Sequence, residues 1–124
     1  MKGDEIRRLI MGEQWVRAAP GGDEDALAHF SSLAAEHVWN TFWVRDGLEL
    51  RVRSAVTIGA LVSLEAGDEL KAHVAGALRA GLLTPVEIRE AILHLTPYLG
   101  YPRVRHAIAQ VNDMLAAADA GEGP

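Results

Sequence analysis

The stretch GDELKAHVAGALRAGLLTPVE, Gly67 to Glu87, decides the fold. Thr84, Pro85 and Glu87 carry three helix-start signals: an N-cap hydroxyl, a proline at the first helical position and a capping-box carboxylate. Upstream, Asp68 is expected to cap a helix that closes at Gly81. Between them Leu70, Val74, Ala77 and Leu78 recur at helical spacing. Two helices therefore follow one another across a very short turn, which favours antiparallel neighbours.

The rest of the chain reads the same way. Before this stretch, Leu50, Val52, Val56, Ile58, Leu61, Val62 and Leu64 place apolar side chains on most sides of a third helix, about residues 49–65. Such a helix is expected to be central and buried. A first helical region covers residues 2–18, with Ile6, Leu9, Ile10, Trp15 and Val16 at helical spacing. PGGDED breaks it, and Asp23 is expected to cap a second helix with Leu27, Phe30, Leu33, Ala34 and Val38 on one face. A fifth helix follows Thr84 through Ile88, Ala91, Ile92 and Leu95 until Pro97 bends or ends it. A sixth covers roughly Arg103 to Ala118, and residues 119–124 form a frayed tail. β-Branched residues are scattered and no segment alternates strictly, so strands are not expected. The expectation is a single all-α domain of about six helices over residues 1–124.

Composition narrows the function. The 124 residues are 49% hydrophobic and 23% charged, with a net charge of −5. That balance is folded and globular, on the apolar side for a small monomer, which favours self-association. The arginines are spread out and the net charge is negative, so nucleic-acid binding is not expected. No apolar run approaches the roughly 20 residues of a membrane span. The charged start MKGDEIRRLI lacks the pattern of a secretory signal, so the expected compartment is the cytoplasm. With no cysteine in the chain, thiolate nucleophiles, disulfides and thiol redox chemistry are excluded.

Five histidines remain: His29, His37, His73, His94 and His106. No HExxH or related ligand pattern occurs, and two ligands on one helix face do not make a zinc or iron site, so no metal is expected. No serine lies in a nucleophile elbow, and no glycine-rich phosphate loop follows a strand, so no nucleotide cofactor is expected. Glu69 and His73, at i and i+4, share one helix face. A carboxylate there would hold the imidazole's tautomer and raise its pKa. The same spacing occurs on many solvated helices, where it is only a surface ion pair. His73 nonetheless lies on the stripe with Leu70 and Ala77. A second cluster, EHVWNTFWVRDGLELRVR, sets Trp39, Phe42 and Trp43 beside His37, Arg45, Arg51 and Arg53. Tryptophans stiffen an apolar wall and arginine grips a carboxylate with two parallel bonds; a core plug with outward arginines fits equally. Tyr98 and Tyr101 flank Gly100, lining a pocket or packing a turn. His94 is expected to bond a backbone carbonyl.

These residues resemble the carboxymuconolactone decarboxylase family. The resemblance is carried by WNTFWVRDGLELRVRSAVTIGALVSL, residues 39–64, and DELKAHVAGALRAGLLTPVEIREAILHLTPYLGYPRVRHA, residues 68–107. The family pattern is a W-x-R-P-G-L turn, an R-S-rich apolar helix, an E-L-x-x-H helix, a G-x-T-x-x-E-I helix start and a Y-x-G-x-P turn. It covers about residues 5–112 and implies an alkyl hydroperoxidase D-like helical fold assembling as trimers or hexamers. The peroxidase branch carries cysteines that would fall at Ala66 and Glu69, and a glutamate that would fall near Ser54. The decarboxylase branch keeps E-L-x-x-H, as Glu69 to His73 does here. Asp46 stands where the pattern has proline, which puts the substrate more in question than the fold.

The resemblance implies cofactor-independent decarboxylation of a γ-lactone carboxylic acid, as in the breakdown of aromatic compounds. It assigns proton delivery to His73, oriented by Glu69, and substrate contact to Arg53, Arg45, Trp39, Trp43, His37 and Tyr98. Two other readings keep the sequence: an acid/base isomerase or cyclase acting on a lactone or enol, and a non-catalytic helical oligomerisation module.

Overall fold

A computed structural model describes residues 1–13 and 25–123. Among them every regular element is helical. The residues group into two compact units, Met1–Glu49 and Leu50–Pro124.

In the first unit, α1 (Gly3–Met11) buries Ile6 and Ile10 and packs on a π-helical turn, Ala35–Trp39. The approach is close: a Cβ on Gly3 would lie 2.0 Å from Asn40 Oδ1 and 2.7 Å from the Trp39 carbonyl carbon. Helix α2 (Ala26–Ala34) is capped by Asp25, whose carboxylate accepts from the backbone N–H groups of Leu27 at 2.8 Å and Ala28 at 3.3 Å. The expected cap, Asp23, and the expected core residues Trp15 and Val16 lie outside the described residues. The Arg7 guanidinium donates to Ser31 Oγ at 2.9 Å, tying α1 to α2. The expected inward face of α2 is not buried. Leu27, Phe30 and Leu33 are 67%, 69% and 55% exposed, because no element among the described residues covers them.

In the second unit, α3 (Leu50–Ser63) and α4 (Gly67–Arg79) form a hairpin. Helix α5 (Pro85–His94), the single turn α6 (Thr96–Leu99) and the long α7 (Tyr101–Asp119) complete it. Ile58 and Val62 of α3, Leu70, Val74 and Ala77 of α4, Ile88 and Ile92 of α5, and Val104, Val111 and Leu115 of α7 meet in one core. The capping box before α5 is present in full. Thr84 Oγ1 accepts from the Glu87 N–H at 3.1 Å, and Glu87 Oε1 accepts from the Thr84 N–H at 3.0 Å. Gly81, at φ +67°, ends α4 in the left-handed region where a Cβ is costly. Pro97 falls in the first turn of α6, just after α5 ends.

Two expectations are corrected here. Asp68 does not cap α4. The Leu70 N–H bonds the Ala66 carbonyl at 2.8 Å, so the helix begins earlier and Ala66 occupies the cap position without a side-chain bond. Asp68 and Glu69 instead lie in the first turn, where carboxylates complement the helix dipole. Helix α3 is not buried on most sides. Only Ser54, Ile58 and Val62 are buried, at i, i+4 and i+8, while Val56 is 62% exposed. Neighbouring helices cover one stripe of it and leave the other apolar face open. No helix among the described residues is long and apolar enough to cross a membrane.

Candidate active site

Two polar side chains are buried among the described residues, His73 and Ser54. His73 projects from the core face of α4, between Leu70 and Ala77, and is 9% exposed. Helical periodicity places it there: residues 70, 73, 74 and 77 share one stripe. Glu69 stands one turn earlier and is exposed, so its carboxylate is solvated while the imidazole is not.

That asymmetry decides the electrostatics. Burial disfavours the imidazolium and pushes the His73 pKa below its ordinary value. The Glu69 charge acts in the opposite direction but is the weaker cause. Glu69 does act to raise the pKa, as the sequence leads one to expect, but burial outweighs it and the net shift is downward. The neutral imidazole is the resting form, because a solvated carboxylate acts through high dielectric and desolvation does not.

Ser54 lies on the buried stripe of α3 and is fully inaccessible. Its Oγ has no hydrogen-bond partner among the described residues. In the α3–α4 hairpin, centred near residue 65, Ser54 is 11 residues before the turn and His73 is 8 after it. At 1.5 Å rise per residue, the two lie about 4–5 Å apart along the hairpin axis, close to one helical turn. No nucleophile-elbow pattern marks Ser54 in the sequence. Its signal was its place on the i, i+4, i+8 stripe with Ile58 and Val62.

Arg53 follows on α3 and is half-buried; its backbone carbonyl accepts from Thr57 Oγ1 at 2.8 Å. Arg51 is committed elsewhere, ion-paired with the capping-box Glu87. Tyr98 and Tyr101 are 73% and 70% exposed, so neither packs a turn. His94 is also exposed and meets the Tyr98 ring at 5.6 Å, rather than a backbone carbonyl as expected.

In the first unit, Trp39 and Trp43 are buried and stacked, with ring centroids 5.0 Å apart. His37 is exposed, packs edge-on against Phe42 at 5.4 Å, and borders an apolar groove with Phe30, Leu33 and Val38. Arg45 and Asp46 are exposed in the turn that follows Trp43. Among the described residues no three His, Asp or Glu side chains are placed to share a cation.

The profile of the carboxymuconolactone decarboxylase family matches residues 28–113. The chain is 34% identical to the nitrosuccinic acid decarboxylase npaB of Metarhizium robertsii, over 98% of its own length and 85% of that protein. It is 31% identical to the 4-carboxymuconolactone decarboxylase of Acinetobacter baylyi, over 91% of its own length and 84% of that protein.

Proposed function

Because the chain belongs to the carboxymuconolactone decarboxylase family, we propose that it is a cofactor-independent decarboxylase acting on a γ-lactone carboxylic acid. The observation that carries this reading is His73, a buried ionisable group on the core face of α4 with a carboxylate one turn away.

The chemistry needs little beyond the substrate. When CO2 leaves, the electron pair of the broken C–C bond passes into the conjugated lactone carbonyl and gives an enolate. One proton then returns to carbon, so carboxylate plus proton becomes C–H plus CO2. The substrate is its own electron sink. What the protein supplies is orientation, a poorly hydrated surrounding for the departing carboxylate, and a positioned proton donor. The last is worth roughly 10²–10⁴ in rate.

His73 is neutral at rest, so it must acquire its proton with the substrate. A bound carboxylate beside it favours the imidazolium, as Glu69 does more weakly from the outside. Substrate binding and proton uptake are thus coupled. Glu69 orients the imidazole and balances its charge. Arg53, on the helix that faces α4, anchors a second carboxylate. Substrate contact by Trp39, Trp43, His37, Arg45 and Tyr98 is proposed on the resemblance alone.

A second substrate class has its own support, the 34% identity to a nitrosuccinic acid decarboxylase over nearly the whole chain. A nitro group and an unsaturated lactone carbonyl are alike in one respect: each takes up the electron pair left on carbon. The same His73 chemistry serves both. Self-association into a trimer or hexamer belongs to this proposal, supported by the exposed Leu27, Phe30 and Leu33 of α2 and Val56 of α3.

The test is CO2 release from 4-carboxymuconolactone and from nitrosuccinate, by wild type and by His73→Ala. The expected result is turnover of at least one acid, reduced about 100-fold or more in the variant at unchanged folding. Near wild-type activity in His73→Ala would refute the assignment. Conversion of a lactone without CO2 would establish an isomerase or cyclase instead. Arg53→Lys should raise KM for a dicarboxylate; an unchanged KM would move the anchor to another cation.

A further inference from the structure

Helix α7 carries a polar stripe that the proposed reaction does not use. Tyr101, Arg105, Ala109 and Asp113 recur every four residues, with His106 and Gln110 beside them. Together with Lys71 of α4, they line an open cleft of about 710 Å³. Ala109 keeps its floor low. Gln110 reaches over α4 where Gly67 has no side chain, since a Cβ there would lie 2.1 Å from Gln110 Nε2.

Its basic side chains are uncommitted. Lys71, Arg105 and His106 are exposed, and among the described residues their side chains form no hydrogen bond or ion pair. Other arginines of this unit are engaged: Arg51 with Glu87, Arg89 with Asp119, and Arg103 with the Ser63 carbonyl at 2.7 Å. In a chain of net charge −5, Lys71 and Arg105 converge on one cleft and outnumber its carboxylate, which gives a local field of opposite sign. Asp113 is the single carboxylate lining it.

We propose that this cleft binds a small multivalent oxyanion, a polycarboxylate or a phosphate, at a site separate from His73. Arg105 offers a planar fork matched to carboxylate or phosphate oxygens, and Lys71 a compact point charge. Gln110 and Tyr101 add neutral donors. Asp113 supplies an acceptor, which an anion that also bears a hydroxyl, such as citrate or hydrogen phosphate, satisfies. A net positive cleft attracts in proportion to ligand charge, so chloride is disfavoured against either. Lys71 is two residues from His73, about 200° around α4, so the cleft opens away from the buried imidazole. Because Lys71, Glu69 and His73 share a helix, occupancy there bears on the helix that holds the acid/base pair. The proposal stands independently of the decarboxylase reading.

The experiment is calorimetric titration of the full chain at low ionic strength with citrate and, separately, with inorganic phosphate, chloride serving as control. Citrate, phosphate or both should bind saturably while chloride does not, and the anion bound more tightly tells the two sources apart. Lys71→Gln and Arg105→Gln should each weaken binding by about tenfold, the loss of one charge-assisted hydrogen bond. His73→Ala should leave it unchanged. All of these side chains except that of His73 are on the surface, and unaltered thermal unfolding of the two cleft variants checks that they fold. No saturable binding of either anion, or undiminished binding in the Lys71→Gln/Arg105→Gln double variant, would overturn the proposal. So would an equal loss in His73→Ala, since the anion would then occupy the acid/base centre.

Discussion

Acidification should destabilise this protein through His73, and the effect can be isolated by one substitution. The imidazole is 9% exposed and its pKa is held below the ordinary histidine value by burial. In the unfolded chain it returns to about 6.5. Below that pH the unfolded state binds a proton that the native state refuses. Stability is therefore fully present above the unfolded pKa and is lost as pH falls toward the folded pKa. For one proton the slope reaches at most about 1.4 kcal/mol per pH unit. That corresponds to a fall in Tm of roughly 4–6 °C per pH unit for a chain of this size.

The other described histidines, His29, His37, His94 and His106, are exposed and contribute equally to wild type and variant. The difference between wild type and His73→Gln across pH 5 to 8, by thermal or urea unfolding at fixed protein concentration, thus isolates the buried group. Wild type should lose stability more steeply below about pH 6.5. Glu69→Gln sharpens the test. Removing the one charge that favours the imidazolium lowers the folded pKa further, so the loss extends to lower pH. Parallel curves for wild type and His73→Gln would refute the claim that the imidazole is buried in its neutral form.

Other consequences can be checked independently. If substrate binding brings the proton to His73, kcat should fall at a higher pH than kcat/KM, because the first reports the complex and the second the free protein; coincident profiles would separate proton uptake from binding. Ser54→Ala should raise stability by about 1 kcal/mol, by removing a buried hydroxyl without a partner among the described residues. A simultaneous loss of turnover would mark that hydroxyl as facing the substrate. Thr84→Ala should cost about 1 kcal/mol in urea unfolding. Thr84 and Arg51 hold the Glu87 pKa below its ordinary value, so the contribution of this cap should persist at neutral pH and fade as pH falls through the carboxylate range. Glu65→Gly should be neutral to stabilising, by up to about 1 kcal/mol, since Glu65 sits at φ 55°, where a Cβ is strained.

The order of helices and the pairing of Glu69 with His73 on one helix could be read from local rules because those rules act locally. Thr84, Pro85 and Glu87 start α5 through bonds within three residues, and Gly81 ends α4 through its own backbone angle. His73 falls on the core stripe because the helical period alone sets which residues share a face. The sequence could not place Asp68, since the first α4 hydrogen bond is made by the Ala66 carbonyl and not by a side chain. It could not foresee that Val56 and Phe30 would be exposed, because an apolar residue states a preference for burial and not whether a neighbour is present to provide it.

The sign of the His73 shift marks the boundary between the two sources. The sequence by itself determined that an imidazole and a carboxylate lie one turn apart on a helix, and that no cysteine is present to make thiol chemistry. Only the tertiary structure decided which of two opposing effects wins. Desolvation depends on how many helices close over the imidazole, whereas the attraction of Glu69 depends on spacing along one. The packing of α4 in the second unit buries His73 and leaves Glu69 in water, so the ring rests neutral. The same is true of the cleft on α7. The stripe Tyr101, Arg105, Asp113 is written in the sequence, but Lys71 joins it only because α4 and α7 pack side by side.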